Sequence, residues 1–168
     1  MLRALFEAHK DRVYSLALAF FHGDAATAED VAQEVFVKMA TRIGEFRGEA
    51  ALATYLYRLT ANACVDEQRR RKRLVPLAGE KEDHDDLAAP APEGLAERHE
   101  MARAVQAAIA DLPPDLRVAV LLRYFDDLSY DEMAHALGCA PGTVASRLHR
   151  GLKRLGRTLA AWRHDTDE

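Results

Sequence analysis

The chain has 168 residues, of which 49% are apolar and 30% are charged, and its formal net charge is -4. This length suits one ordinary domain or two small ones, and this composition suits a soluble protein. No apolar run approaches about eighteen residues and no cleavable leader is present, so we expect neither direct membrane insertion nor secretion. Only two cysteines occur, Cys64 and Cys139, which gives no disulfide framework and favours a cytoplasmic location.

Charge is distributed unevenly along the sequence. Residues 1–73 carry 12 basic and 10 acidic side chains, residues 74–100 carry 2 and 8, and residues 101–168 carry 9 and 9. Six basic residues lie between Arg147 and Arg163 with no acidic residue among them. Nucleic-acid binding responds to the field within a Debye length of about 10 Å, so an acidic total does not exclude it.

Apolar residues recur every three or four positions, and strand-like alternation is absent, which predicts an all-α fold. The pattern predicts a first helix that ends near His22, a second over about 26–43, and a long third from about Leu52 into the basic run 69–73. The stretch 44–51, between the second and third helices, is predicted to be a loop.

The second predicted helix has an exposed polar patch opposite its apolar side. Asp30, Gln33 and Glu34 share this patch, with Val37 exposed among them. An acidic patch with an apolar member suits a protein partner, although solvation alone would also explain it.

The third predicted helix and the loop before it carry the ingredients of a single-strand binding site. One exposed stripe of the helix contains Thr54, Arg58, Asn62, Val65 and Arg69, while Phe46, Arg47 and Tyr55 lie at its start. Basic residues, aromatic rings and an exposed amide are the groups that hold an unstacked base and its backbone. Phe46 and Tyr55, taken singly, are equally typical of a core.

Residues 75–95 contain three prolines, two glycines and a cluster of acidic residues. This composition predicts a flexible acidic linker that joins two small helical domains, at 1–74 and 96–163. Beyond the linker we expect a helix over about 96–112 and another with Pro113 and Pro114 at its start.

The C-terminal part has the pattern of a helix-turn-helix. Ser129 and Glu132 form a predicted capping box for a short helix. The spacing of Ala134, Gly138 and Val144 then supplies a close helix crossing, a sharp turn and an apolar plug between the two helices.

The helix after this turn has an apolar face and a basic face. In a helix that enters the major groove the N-terminal side chains reach base edges, and later basic residues lie near phosphates. The predicted DNA contacts are Thr143, Ser146, Arg147, Arg150 and Lys153, with Arg154 and Arg157 beyond them. The alternative is an ordinary solvated basic face.

Three segments in this order resemble the extracytoplasmic-function (ECF) group of RNA polymerase sigma factors, in the sigma-70 family. They are "AEDVAQEVFVKM" at 28–39, "FRGEAALATYLYRLTANACVDEQRRRKR" at 46–73, and "LPPDLRVAVLLRYFDDLSYDEMAHALGCAPGTVASRLHRGLKRL" at 112–155. The resemblance covers roughly residues 10–160 apart from the linker.

The resemblance implies that the first domain is sigma region 2 and the last is region 4, which reads the -35 promoter element. It implies that Asp30, Gln33 and Glu34 face core RNA polymerase, on its β′ subunit, and that the β subunit is also contacted. Phe46, Arg47 and Asn62 then lie where the family captures a flipped base of the -10 element, and the linker threads the active-site channel. An anti-sigma factor is an expected partner.

Two positions depart from the family pattern. Tyr55 stands where the family usually has tryptophan, and Ala145 stands where it usually has a basic residue. The first keeps an aromatic ring at the -10 segment, whereas the second removes an expected -35 contact.

Other classes of protein remain open on the sequence alone. A stand-alone helix-turn-helix regulator explains residues 111–160 but leaves the N-terminal stripe and patch unexplained, and an anti-sigma or adaptor protein would not need two DNA-facing helices. An enzyme fits poorly, because no phosphate loop, nucleophile–base pair or carboxylate cluster is evident, and we expect no catalytic residues and no cofactor. His135 and Cys139 are four apart, but a small core cysteine and a surface histidine explain them without a metal.

Overall fold

The computed structural model describes residues 2–46, 48–74 and 95–166, and within these ranges the chain folds into seven α-helices and no strand. The predicted all-α fold is therefore confirmed. The helices are α1 (Leu2–Phe20), α2 (Ala25–Arg42), α3 (Glu49–Leu74), α4 (Leu95–Ala110), α5 (Pro114–Tyr124), α6 (Tyr130–Leu137) and α7 (Pro141–Thr166).

The helix boundaries follow local chemistry. Helix α2 begins after Asp24, whose carboxylate accepts a hydrogen bond of 3.1 Å from the backbone N–H of Thr27. The predicted loop at 44–51 is shorter than expected: Ile43–Glu45 forms a 3₁₀ turn, and α3 already begins at Glu49. Gly48, at φ +104°, makes the turn before α3, and the residues that follow it are good helix formers.

The helix-turn-helix prediction is confirmed in its local detail. Ser129 and Glu132 form both hydrogen bonds of the capping box, at 2.7 and 3.2 Å. Gly138 ends α6 in the left-handed conformation at φ +61°. Ala134 and Val144 are both buried, as the close crossing of α6 and α7 requires.

The first three helices pack around an apolar core. Its largest fully buried side chains are Leu16 and Phe20 of α1 together with Val35 and Met39 of α2. Helix α3 contributes Leu56, so each of the three helices turns its apolar stripe towards the other two.

The last four helices form a second cluster, in which α7 packs against α4, α5 and α6. Leu122, Met133 and Leu148 occupy its interior. Gly151 lets α7 approach α5 closely, because a Cβ at this position would lie only 2.9 Å from Val120 Cγ2. Leu152 of α7 is 43% exposed, unlike Leu148 and Leu155 of the same helix, which are buried.

The two clusters pack against each other, which the sequence did not lead us to expect. Helix α3 contacts both α5 and α6, and α1 contacts α5. In this packing Cys64 of α3 is buried near Arg117 of α5. Apart from Leu95, which begins α4, the predicted linker lies outside the described residues, and the division into two domains stays a prediction.

None of the helices in the described ranges is both long and apolar enough to cross a membrane.

Candidate nucleic-acid and partner interfaces

The polar patch predicted on α2 forms one continuous surface. Asp30, Gln33 and Glu34 are all exposed, and Val37 beside them is 66% exposed. The opposite side of the helix is buried in the core, so packing fixes the direction in which the patch faces. Lys38 pairs with Glu34 at 2.5 Å, one turn apart, and partly offsets its charge.

An apolar groove between α1 and α2 borders this patch, and sequence reasoning missed it. The groove has a volume of about 690 Å³, and it shares Gln33 and Val37 with the patch. Phe6 and Phe36 line it with their rings edge to face and 4.7 Å apart. Phe6 is 39% exposed, and its ring forms part of the groove wall.

The stripe predicted on α3 is partly exposed. Arg58, Asn62 and Arg69 are exposed along the helix, and the first and last of them are eleven positions apart, which corresponds to about 16 Å at about 1.5 Å per residue. Thr54 and Val65 are half-buried, and Val65 packs against the core. The exposed members form a line of two cations with an amide between them.

At the start of α3, Phe46 and Tyr55 pack against each other, with ring centroids 4.5 Å apart and planes inclined by 35°. Both side chains are half-buried. Part of each ring therefore packs in the protein, and part remains accessible to a base. Arg47, predicted to lie beside them, is outside the described residues. The pair places an aromatic surface next to the exposed stripe, as stacking on a base requires.

Part of the basic run at the end of α3 forms ion pairs within the protein. Arg71 pairs with Asp24 at 3.1 Å, donates a hydrogen bond to the Thr27 hydroxyl and lies over the ring of Phe21. Arg70 and Arg71 also pair with Glu67, at 2.8 and 3.2 Å. Two of the five cations, Arg70 and Arg71, are therefore held in intramolecular contacts, although all five side chains from Arg69 to Arg73 are exposed.

These contacts change the acidity of Asp24. Partial burial acts to raise the pKa of its carboxyl group, but hydrogen bonds from Thr27 and Arg71 outweigh it, and the pKa lies below the usual 3.8. When it is ionised, the Asp24 carboxylate caps the start of α2 and pairs with Arg71 near the end of α3.

The predicted recognition helix α7 presents its polar side to solvent. Thr143, Ser146, Arg150 and Lys153 are exposed, while Arg147 is half-buried at the edge of the face. Val144, Leu148 and Leu155 on the other side are buried, so the helix is held by its apolar face and leaves its polar face accessible. Ala145 is exposed beside the predicted base contacts.

A basic concavity lies further along α7. Arg150, Lys153, Arg154 and Arg157 line it together with the start of α5, and its volume is about 250 Å³. Asp115 is the one acidic residue among the lining side chains. Four cations within two turns provide a strong local positive field, which suits a phosphate backbone.

Two family models match the chain, and together they cover both helical clusters. Sigma-70 region 2 matches residues 5–74, and Sigma-70, region 4 matches residues 102–155. The chain is 36% identical over 159 residues to RNA polymerase sigma-H factor of Pseudomonas aeruginosa, covering 90% of this chain and 82% of that protein. It is 30% identical over 163 residues to ECF RNA polymerase sigma factor SigW of Bacillus subtilis, covering 92% and 87%.

The chain belongs to the ECF group of the sigma-70 family. The resemblance seen in the sequence is thereby confirmed, and the region 2 match ends with α3. As a sigma factor, the protein is a transcription initiation factor that binds core RNA polymerase and promoter DNA. The family membership therefore favours a sigma factor over the stand-alone helix-turn-helix regulator.

Two solved structures share the fold of this chain. The sigma factor RpoE in complex with the anti-sigma factor NepR from Bartonella quintana matches with a TM-score of 0.68 and 24% identity, over 94% of this chain and 96% of that one. CnrH in complex with the cytosolic domain of CnrY matches with a TM-score of 0.66 and 22% identity, over 95% and 88%.

Proposed function

We propose that three separate surfaces of this sigma factor divide the work of promoter recognition. In this assignment the α2 patch binds core polymerase, the α3 stripe with Phe46 and Tyr55 captures the -10 element, and the polar face of α7 reads the -35 element. The observation that carries the proposal is the presence of two exposed basic faces, on α3 and α7, in an otherwise acidic chain.

The α2 patch suits a protein partner better than DNA. Asp30 and Glu34 would repel phosphates, whereas Val37 and the neighbouring groove with Phe6 and Phe36 offer apolar area that a partner helix can bury. We expect the β′ subunit of core polymerase to contact this surface. We expect the β subunit, the other polymerase partner implied by the family, to contact the C-terminal cluster.

The α3 stripe suits single-stranded DNA. Asn62 offers an amide that can hydrogen-bond the edge of an extruded base, and the Phe46–Tyr55 pair offers a ring surface for stacking. Arg58 and Arg69 lie on either side of Asn62 to hold the backbone. Tyr55 keeps the aromatic character of the usual tryptophan, with a smaller ring.

The α7 face suits duplex DNA. Thr143, Ser146 and Arg150 project from the N-terminal part of the helix, where side chains reach base edges, and Lys153 lies nearer the phosphates. Arg147, half-buried at the edge, is placed for a backbone contact. Ala145 offers only a methyl group, which can contact a thymine methyl but donates no hydrogen bond.

We further propose that the protein works in the cytoplasm without catalytic residues of its own, because the polymerase supplies the chemistry. An anti-sigma factor is the expected regulator, since the structurally similar RpoE of Bartonella quintana was solved in complex with the anti-sigma factor NepR.

A binding assay tests whether promoter recognition by this protein depends on core polymerase. Fluorescence anisotropy with a labelled promoter duplex should show weak binding by the free protein and tight, sequence-dependent binding once core polymerase is added. Tight specific binding by the free protein, unchanged by polymerase, would contradict the proposal and favour a regulator that acts alone.

A further inference from the structure

The acidic patch of α2 and the basic end of α3 adjoin each other. A hydrogen bond to Glu67, together with the charge of that residue, raises the pKa of the Arg70 guanidinium above its ordinary value. The charges of Glu34 and Asp30 raise this pKa further. Arg70 therefore lies within the field of both acidic members of the patch, a field that salt screens beyond about 10 Å. The surface proposed to bind polymerase thus borders the end of the helix proposed to bind DNA.

Two partly buried carboxylates anchor this end of α3. Glu67 accepts hydrogen bonds of 2.8 and 3.1 Å from Arg70 and one of 3.2 Å from Arg71. Asp24 accepts one of 3.1 Å from Arg71, which lies 47 positions later in the chain. The side chains of Glu67 and Asp24 are 17% and 20% exposed, whereas both arginines are far more exposed. The acids are thus the more deeply placed partner in each pair.

Arg71 is held on several sides by the start of α2. Besides its pair with Asp24, it donates a hydrogen bond to the hydroxyl of Thr27. Its guanidinium lies 5.4 Å from the centroid of the Phe21 ring, and both Phe21 and Thr27 are buried. All three of its side-chain nitrogens, Nε, Nη1 and Nη2, therefore have a partner within the protein. A guanidinium with these fixed partners is poorly placed to hold a phosphate.

Five consecutive cations do not by themselves form a stable end of a helix. The run 69–73 places like charges three and four positions apart, and such pairs repel each other. The last turn of a helix also lacks partners for its final carbonyl groups, so it frays easily. Glu67 and Asp24 supply the opposite charge, and they fix the direction in which the rest of the run projects.

We propose that Asp24 and Glu67 are positioning residues for promoter opening. By holding the two arginines, they fix the basic end of α3 in register with the α2 patch, so that a DNA strand is presented at a set distance from core polymerase. The proposal rests on the proposed assignment of α2 to core polymerase and of α3 to the -10 element. Arg71 acts within the protein. The cations of the run that remain for phosphates are Arg69, Lys72 and Arg73.

The sign of the effect distinguishes positioning from simple electrostatics. An acidic side chain near DNA repels phosphates, so its removal should by charge alone strengthen promoter binding. Loss of a positioning residue has the opposite effect, because a small misplacement of a bound group slows the step that depends on it. Asp24→Asn and Glu67→Gln should therefore slow promoter opening, although each change makes the protein more positive.

Stopped-flow fluorescence of a promoter labelled in the -10 region measures the rate of opening. Holoenzyme is reconstituted from core polymerase and each variant, and the dependence on its concentration separates initial binding from the maximal opening rate. Asp24→Asn and Glu67→Gln should lower the maximal rate by roughly tenfold, with initial binding unchanged or tighter. Asp66→Asn removes the same charge from an exposed neighbour on α3 and should keep the wild-type maximal rate.

A matched pair of arginine variants tests the role assigned to Arg71. Arg71→Gln should lower the maximal opening rate and leave the salt dependence of promoter binding as in the wild type. Arg73→Gln removes a phosphate contact and should reduce the slope of log affinity against log salt by about 0.7–0.9. The double variant Asp24→Asn/Arg71→Gln should open no more slowly than the slower single variant, because both changes break one contact.

Three results would overturn the proposal. They are wild-type or faster opening in both Asp24→Asn and Glu67→Gln, a salt slope that Arg71→Gln reduces as much as Arg73→Gln does, and losses that add in the double variant. Circular dichroism and the dissociation constant for core polymerase establish that each variant folds and forms holoenzyme.

A failure of the proposed function gives a different result. If Asn62→Ala left promoter opening unchanged and Asp30→Lys left polymerase binding unchanged, the assignments of α3 and α2 would be wrong, whatever the variants of Asp24 and Glu67 do.

Discussion

Arg117 Nη1 lies 3.1 Å from the carbonyl oxygen of Phe20, a residue 97 positions earlier in the chain. The end of α1 has carbonyl groups that no further turn of helix can satisfy, and the guanidinium supplies a donor for one of them. The same guanidinium serves carbonyl groups of the α4–α5 turn. One buried cation therefore satisfies backbone acceptors in both helical clusters.

Replacing Arg117 should destabilise the protein strongly. In Arg117→Met the apolar stem is kept, but buried carbonyl groups at Phe20 and Leu112 lose their donor, at a cost of about 1–3 kcal/mol for each unsatisfied group. Urea denaturation followed by circular dichroism measures the loss. Arg103→Met, on the exposed side of α4, is the control and should change the free energy of unfolding little. Equal stability of the two variants would contradict the role of Arg117.

Asn62→Ala should impair promoter opening while polymerase binding is retained. The substitution removes the amide proposed to hydrogen-bond an extruded base but leaves the α2 patch unchanged. Permanganate footprinting of the -10 region should show reduced reactivity of unpaired thymines at equal occupancy by the holoenzyme. Wild-type reactivity in the variant would rule out Asn62 as a contact to the captured base.

Arg150→Ala should weaken recognition of the upstream element. If Arg150 makes a bidentate contact to a base, its loss costs about 1–3 kcal/mol and relaxes the preference at one position. Promoter strength measured over a set of -35 variants gives both the loss of binding free energy and the change in base preference. Arg103→Ala removes an exposed cation from α4 and should leave the sequence preference unaltered. An unchanged preference in Arg150→Ala would argue against a base contact.

Asp30→Lys should lower affinity for core polymerase. The change reverses a charge at the centre of the α2 patch, on an exposed side chain whose loss does not disturb the core. A titration with labelled sigma factor gives the dissociation constant. Glu97→Lys, which makes the same reversal in the first turn of α4, should bind as the wild type does. A dissociation constant unaltered by Asp30→Lys would refute the assignment of the patch.

The contact between Asp24 and Arg71 should make stability depend on pH. Since the pKa of Asp24 is lowered in the folded protein, its stabilising effect is fully present above the usual value of 3.8 and is lost as pH falls through the lower folded pKa. Asp24→Asn keeps the helix cap but removes the charge. The difference in unfolding free energy between wild type and variant should therefore shrink as the pH falls below 3.8 and through the lower folded pKa of Asp24. A difference independent of pH would show that the charge has no role.

Local features of the sequence predicted local structure well. The capping box at Ser129 and Glu132, the turn at Gly138 and the two faces of α7 depend on neighbours in the chain, and the spacing of a few residues determines them. The exposed patch of α2 follows from the same periodicity. Helix α3 begins at Glu49, three residues before the predicted start at Leu52, because Glu49, Ala50 and Ala51 are good helix formers.

Long-range packing was not predicted, and the physical reason is that periodicity shows which residues are apolar but not what covers them. Arg117 and Arg71 are cations whose partners lie 97 and 47 positions away, at Phe20 and Asp24. One signal was available: Thr60, Ala61, Ala63 and Cys64 are small residues clustered on α3, which favours close packing against further helices.

Transcription reconstituted from purified components tests whether this protein directs core polymerase to promoters. The protein is mixed with core polymerase and fragmented genomic DNA, and the 5′ ends of the transcripts are sequenced. We expect discrete start sites, absent with core polymerase alone, that share one motif near -10 and another near -35. Start sites that are the same with and without the protein, or that share no motif, would contradict it.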